Sequence, residues 1–178
     1  MKQFKVILTM VLVASSLQIF AQTNKETTDK IIAAKNYVFI ANTAIPMANM
    51  DVSRVLERMP GNVGGGGAIM LSGSQYDFKV TKDSVVAYLP FYGRSFTAPL
   101  NPNEGGIKFT SKDFSYTQKT NKKGNYTIQI TTKDVQRENY RFMLSVSKNG
   151  YATLVASGNN RQSITFNGVI EEPKKKNE

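Results

Sequence analysis

The side chains best equipped for chemistry lie between Ala87 and Leu100, in the run AYLPFYGRSFTAPL. Tyr88, Phe91, Tyr92 and Phe96 crowd around Arg94, and Pro90 and Gly93 break the run. A guanidinium can stack on an aromatic face and still donate five hydrogen bonds, which suits an anionic or carboxylate ligand. The same group equally suits a structural bond to carbonyls freed by Pro90, which cannot join a sheet ladder as a donor. Phe109, in the next strand-like run, and Arg161, in an Asn-Asn-Arg loop able to point to the same rim, complete the candidate ligand-binding set.

Composition removes most other chemistry. The 178 residues include neither Cys nor His. Thiolate and imidazole nucleophiles, Cys/His zinc sites and Ser-His-Asp triads are thereby excluded. Acid–base work falls to 13 carboxylates, to Lys or to Tyr, and a metal would need oxygen ligands alone. The expectation is a protein without enzymatic activity, catalytic residues, metal or cofactor. The run GNVGGGG at 61–67 lacks the Gly-Lys-Ser/Thr of a phosphate loop and reads as a flexible connection. Asp83-Ser84-Val85 fits a short O-glycosylation pattern and also fits the start of a strand. Glu171-Glu172 lies beside a lysine tail and reads as solvated rather than as a glycosidase pair.

The N-terminus reads as an export signal. MKQFK supplies two positive charges, VILTMVLVASSL is apolar, and cleavage after Ala21 leaves Gln22 first. About 12 apolar residues are too few for a membrane-spanning helix, which needs about 20. The expected organisation is a signal peptide over 1–21, one domain over 22–170 and a disordered basic tail over 171–178. Export to the periplasm is expected, with secretion or outer-membrane association as alternatives. The net charge of +10 falls to about +8 without Lys2 and Lys5. Such a charge permits weak binding to anionic surfaces, but the scattered basic residues carry no nucleic-acid motif.

The elements that must position the aromatic–arginine run are strands. TNKETTDKIIAAKN precedes them and holds a short helix, capped by Thr27 or Thr28, with Ile31, Ile32 and Ala34 on its apolar side. YVFIANTAIP alternates Tyr37, Phe39 and Ala41 on one face. A long loop follows, with a helical turn expected at VSRVLER. AIMLSGSQYDFKV, SVVAYLP, GGIKFTS, FSYTQKT, NYTIQITT, NYRFMLSVS, YATLVAS and SITFNGVIEE then read as strands. Asn149-Gly150 predicts a type I′ hairpin turn. About nine strands without intervening helices require an antiparallel sheet, largely a meander. One apolar face per strand forces the sheet to curl over a core. The expected fold is all-β, an up-and-down barrel or half-barrel with a short N-terminal helix; a two-sheet sandwich is the runner-up.

The set Leu89-Pro90-Phe91-Tyr92-Gly93-Arg94, Gly106-Ile107-Lys108-Phe109, and Asn149-Gly150 through Asn160-Arg161 to Ile164 and Gly168 resembles the domain of unknown function 4251 family of Bacteroidetes envelope proteins. The resemblance covers about Phe39 to Ile170. It implies an exported single-domain β protein of lipocalin-like barrel architecture, and it implies no activity. The functional expectation is binding of a small apolar or amphipathic ligand in a curved sheet. The alternative is a module that offers rim loops or an edge strand to an envelope protein or glycan.

Overall fold

The computed structural model describes residues 25–47, 63–64, 67–71, 75–96, 105–136 and 138–174. The signal peptide and the helical turn expected at VSRVLER lie outside them. Helix α1 spans Lys25–Ala33, so Thr27 and Thr28 sit inside it and do not cap it. Thr28, Ile31 and Ile32 are buried. Lys35, at φ 50°, ends the helix; the N–H of Asn36 bonds the carbonyl of Ile31 and that of Lys35 the carbonyl of Ile32. This is a Schellman closure with lysine in the place glycine usually takes.

Eleven strands follow among the described residues: β1 Tyr37–Pro46, β2 Val63–Gly64, β3 Ala68–Met70, β4 Asp77–Val80, β5 Val85–Leu89, β6 Ile107–Ser111, β7 Phe114–Thr120, β8 Tyr126–Thr132, β9 Tyr140–Val146, β10 Tyr151–Gly158 and β11 Ile164–Glu171. All pairings are antiparallel, in the order β6-β5-β4-β1-β11-β10-β9-β8-β7. Two meanders thus flank β1, one running β4 to β6 and the other β7 to β11. The run AIMLSGSQYDFKV is two strands, not one, because β1 changes partner along its length. It pairs β4 up to Ile40 and β3 from Thr43. A bulge between Ala41 and Thr43 marks the change and keeps the apolar face inward, first Tyr37, Phe39 and Ala41, then Ala44. β3 also pairs β2, so the glycine-rich run carries a two-residue strand where the sequence suggests only a loop.

The single sheet nearly closes into a barrel, which decides against the sandwich. β6 and β7 stand at opposite ends of the strand order, yet only Lys112 and Asp113 separate them in the chain. Asp134, from the β8–β9 connection, locks this corner. Its carboxylate accepts from the Ser111 hydroxyl, from the Lys112 N–H at 2.8 Å and from the Asp113 N–H at 3.1 Å. The Ser111 hydroxyl first, and then the Lys112 N–H, lower the Asp134 pKa from 3.8 to about 2. A depressed carboxylate contributes stability that is complete above its unfolded pKa and is lost as pH falls through its folded one. The native protein should therefore lose some melting temperature as the pH falls from 3.8 towards 2, a loss that water around this exposed carboxylate keeps modest. Asp134→Asn should melt lower at neutral pH and show a shallower acid slope. Equal acid slopes in thermal melts of the two proteins would mean that Asp134 does not hold the corner.

Inside, the concave face is filled by side chains. Phe39, Phe78, Phe142 and Phe166 are fully buried. Phe142 packs on Phe78 at 4.5 Å and on Phe109 at 5.8 Å between ring centroids. Helix α1 is tied to β8 by the Tyr126 hydroxyl, which donates to Asp29 at 2.7 Å. The Asn149-Gly150 turn is not type I′: among the described residues Lys35 is the one non-glycine at positive φ, so Asn149 does not take it. Gly150, at φ 82°, closes a type I turn with a following bulge, its N–H bonded to the Ser147 carbonyl. The β7–β8 turn at Gly124 repeats the device.

Candidate functional site

The structure divides the aromatic–arginine set between two faces of the sheet. In β5 the side chains of Ala87 and Leu89 point into the core and that of Tyr88 points out. β5 ends at Leu89, as Pro90 requires, and the chain then runs back along the β10–β11 connection. Ser95 bridges Arg161, the Phe96 N–H bonds the Asn160 carbonyl, and the Gln162 N–H bonds the Arg94 carbonyl. Arg94 therefore serves through its backbone, whose N–H also donates to Gln162 Oε1 at 3.2 Å. Its side chain is exposed, and so is Phe96.

On the inner side, Phe91, Phe109 and Arg161 come together around two residues the sequence reading did not select, Glu138 and Tyr140. Arg161 Nε donates to Glu138 Oε1 at 2.9 Å, and its Nη2 lies 2.7 Å from Oε2. This is a two-point guanidinium–carboxylate pair, with the side chains only 16% and 8% exposed. The Tyr140 hydroxyl donates to Glu138 Oε2 at 2.7 Å. Arg161 Nη1 reaches the Gly106 carbonyl at 3.3 Å. The guanidinium lies over the Phe91 ring at 4.9 Å and near the Tyr140 ring at 5.6 Å. Phe109 stacks on Tyr140 at 5.0 Å. Burial first, and then the bond to Glu138, push the Tyr140 phenol pKa far up, against the opposing pull of Arg161. Arg161 is thus committed to Glu138, and this cluster is a clasp between loops. Gly158 is part of its construction, because a Cβ there would collide with the Glu138 carboxylate.

A groove lies on the outer face. It has a volume of about 510 Å³ and runs along β1, β4 and the end of β11, floored by Val38 and Ile40 and flanked by Tyr76, Asp77, Lys79 and Glu171. Register builds it. Lys79 and Glu171 sit on either side of Val38, and Asp77 and Val169 on either side of Ile40. Lys79 pairs with Asp77 at 3.0 Å. Tyr88, opposite Asp77 on β5, stacks on the lining residue Tyr76 at 5.7 Å, with Lys108 Nζ over its ring at 5.0 Å. Tyr92 is half-buried beside them; burial and then Tyr76 raise its phenol pKa. Tyr88 and Tyr92 are therefore the members of the expected set that lie next to a lining residue of this groove, Tyr76. Val38, Ile40 and Tyr76 were missed as site residues. The signal for Val38 and Ile40 is the second, outward apolar row of YVFIANTAIP, visible only once the first row is assigned to the core.

Ser84 of the Asp83-Ser84-Val85 pattern is folded into the β4–β5 turn, its hydroxyl 3.0 Å from that of Thr81. Among the described residues no group of three or more Asp or Glu side chains is placed to hold a metal ion. No helix among them is long and apolar enough to cross a membrane.

No curated protein matches the chain. Among solved structures, it is similar to the 1.95 Å crystal structure of a DUF4251 family protein from Bacteroides eggerthii DSM 20697, with a TM-score of 0.55. The sequences are 14% identical, and the match covers 83% of this chain and 87% of that one. At this identity the likeness is one of fold. The sequence profile of the domain of unknown function DUF4251 matches residues 20–170, most of the chain, and the protein belongs to that family.

Proposed function

We propose that this protein is an exported, non-enzymatic binding protein that takes a small amphipathic molecule in the groove on the outer face of β1, β4 and β11. The groove carries this reading. Its volume of about 510 Å³ lies in the range of small-molecule sites, roughly 300–1,000 Å³. Its apolar floor and charged flanks suit a molecule with one apolar and one polar side. The barrel interior is occupied by Phe39, Phe78, Phe142 and Phe166, which favours the outer face over the lumen. Among the described residues the most buried carboxylate, Glu138, is engaged by Arg161 and Tyr140, which favours binding over acid–base chemistry. The run at residues 1–21 supports export, with the periplasm as the destination. A protein partner is the second reading, favoured by exposed Met143 and Tyr151 on the outer faces of β9 and β10.

Native mass spectrometry of the protein recovered from its own periplasm tests this. The expected result is a discrete extra mass that disappears on denaturation and is lost in Ile40→Asp. A bare protein mass would overturn the small-molecule reading and leave the protein partner.

A further inference from the structure

Resting on the groove reading above, we infer that the ligand is an oligosaccharide lying across the strands, between Tyr88 and Tyr151. The register places one outward row over five strands: Tyr88 on β5, Asp77 on β4, Ile40 on β1, Val169 on β11 and Tyr151 on β10. The row ends in two half-exposed tyrosines, 46% and 51% exposed. Four strand spacings of about 4.8 Å put those ends roughly 19 Å apart. That span asks for an extended chain of rings rather than one ring. The row is also of the right chemistry. A pyranose has an apolar C–H face that packs on an aromatic ring or an aliphatic floor, and a rim of hydroxyls that both donate and accept. Tyr76 and Tyr88, stacked side by side, offer such a platform at one end, and Ile40 and Val169 offer the aliphatic floor. Gln75, Asp77, Lys79 and Glu171 supply donors and acceptors along the flank.

Charge separates a saccharide from the other amphipathic candidates. The chain as a whole carries +10. The groove is lined by three carboxylates, Asp77, Glu171 and Glu172, against two ammonium groups, Lys79 and Lys174. A basic protein built to hold a fatty acid or another anionic amphiphile would place its excess lysines here. A near-balanced lining suits a neutral, hydroxyl-rich chain, for which each charged group makes a hydrogen bond rather than a counter-ion pair.

The test is titration of the isotope-labelled protein with tetrasaccharides and disaccharides of the β-glucan, α-glucan, xylan and chitin series, alongside laurate and 1-anilinonaphthalene-8-sulfonate, followed by NMR. At least one tetrasaccharide is expected to shift the Ile40, Tyr76 and Val169 signals and to bind more tightly than its disaccharide. Tyr88→Ala and Tyr151→Ala should each weaken it roughly tenfold; both side chains are exposed and neither variant should unfold. Tight binding that ignores both substitutions would overturn the cross-strand placement. Groove signals that move with laurate or the naphthalene dye, and with no saccharide, would overturn the saccharide and leave the groove reading standing. Silence from every probe would remove both.

Discussion

Glu138→Ala should cost about 3–5 kcal/mol of folding stability, the range for breaking a buried ion pair by removing one partner. The loss comes less from the attraction itself than from what is left behind. The Arg161 guanidinium, 16% exposed, would be left with the Gly106 carbonyl at 3.3 Å and the Phe91 and Tyr140 rings, and with no carboxylate. The Tyr140 hydroxyl would lose its acceptor inside the core. Three connections meet at the pair: the segment after β5 through Phe91, the β8–β9 loop through Glu138, and the β10–β11 loop through Arg161. A domain of this size has about 5–15 kcal/mol in all, so the alanine variant should sit near its unfolding threshold at room temperature. Glu138→Gln, which keeps one acceptor, should cost less. The double variant Glu138→Leu with Arg161→Met should recover much of the loss, because no charge is left unpaired. Urea unfolding followed by circular dichroism measures all of these. A loss under 1 kcal/mol for the alanine variant would mean that water already screens the pair.

The fold was legible where one face of a strand alone is buried. Tyr126, Ile128 and Ile130 in β8, and Tyr140, Phe142, Leu144 and Val146 in β9, alternate with neighbours that are polar except for Met143, and their bounds follow from that alternation. β1 was equally clear as a strand, but its bulge was not, because the inner row was followed only through Tyr37, Phe39 and Ala41, and the adjacent polar pair Asn42 and Thr43 suits a strand edge as well as a skipped register. The split of β3 from β4 follows from that bulge and was hidden with it. The site was less legible than the fold. Two arginines were expected at the ligand, Arg94 beside the aromatics in sequence and Arg161 from a later loop; Arg94 is exposed, whereas Arg161 is brought to Phe91 by a backbone bridge at Ser95 and is held by Glu138. Glu138 stands in a loop with no periodicity, and its partner is 23 residues away. Long-range pairing of single charges leaves no local pattern. The outer groove depends in turn on which strands neighbour β1, and that order comes from β11 closing on it late in the chain.

Gly168→Ala should be the other severe substitution, and it bears on the groove as well as on stability. Gly168 pairs with Ala41, at the edge of the β1 bulge. A Cβ there would overlap the carbonyl oxygen of Ile40 and crowd the Ile40 carbon at 2.9 Å and the Ala41 Cα at 3.2 Å. These are backbone atoms in the middle of the sheet, held on both sides by β4 and β11, so they cannot turn aside as a flexible side chain would. Overpacking typically costs about 1–3 kcal/mol and occasionally more; the collision with main chain places this case at the top of that range or above it. Gly124→Ala is the matched control. Its Cβ would meet nothing within 4 Å, but its φ of 78° leaves the left-handed strain of about 1–2 kcal/mol. Gly168→Ala should therefore melt lower than Gly124→Ala despite an ordinary φ. It should also weaken any groove ligand, because the atoms displaced belong to Ile40, whose side chain is the floor. Gly124 lies in the β7–β8 turn, outside the groove lining, and its variant should bind as the native protein does. Melting curves and NMR titrations on the two variants separate these effects. If Gly168→Ala melts with the native protein, β1 can shift at its bulge, and the groove floor is compliant rather than fixed by the register that forms it.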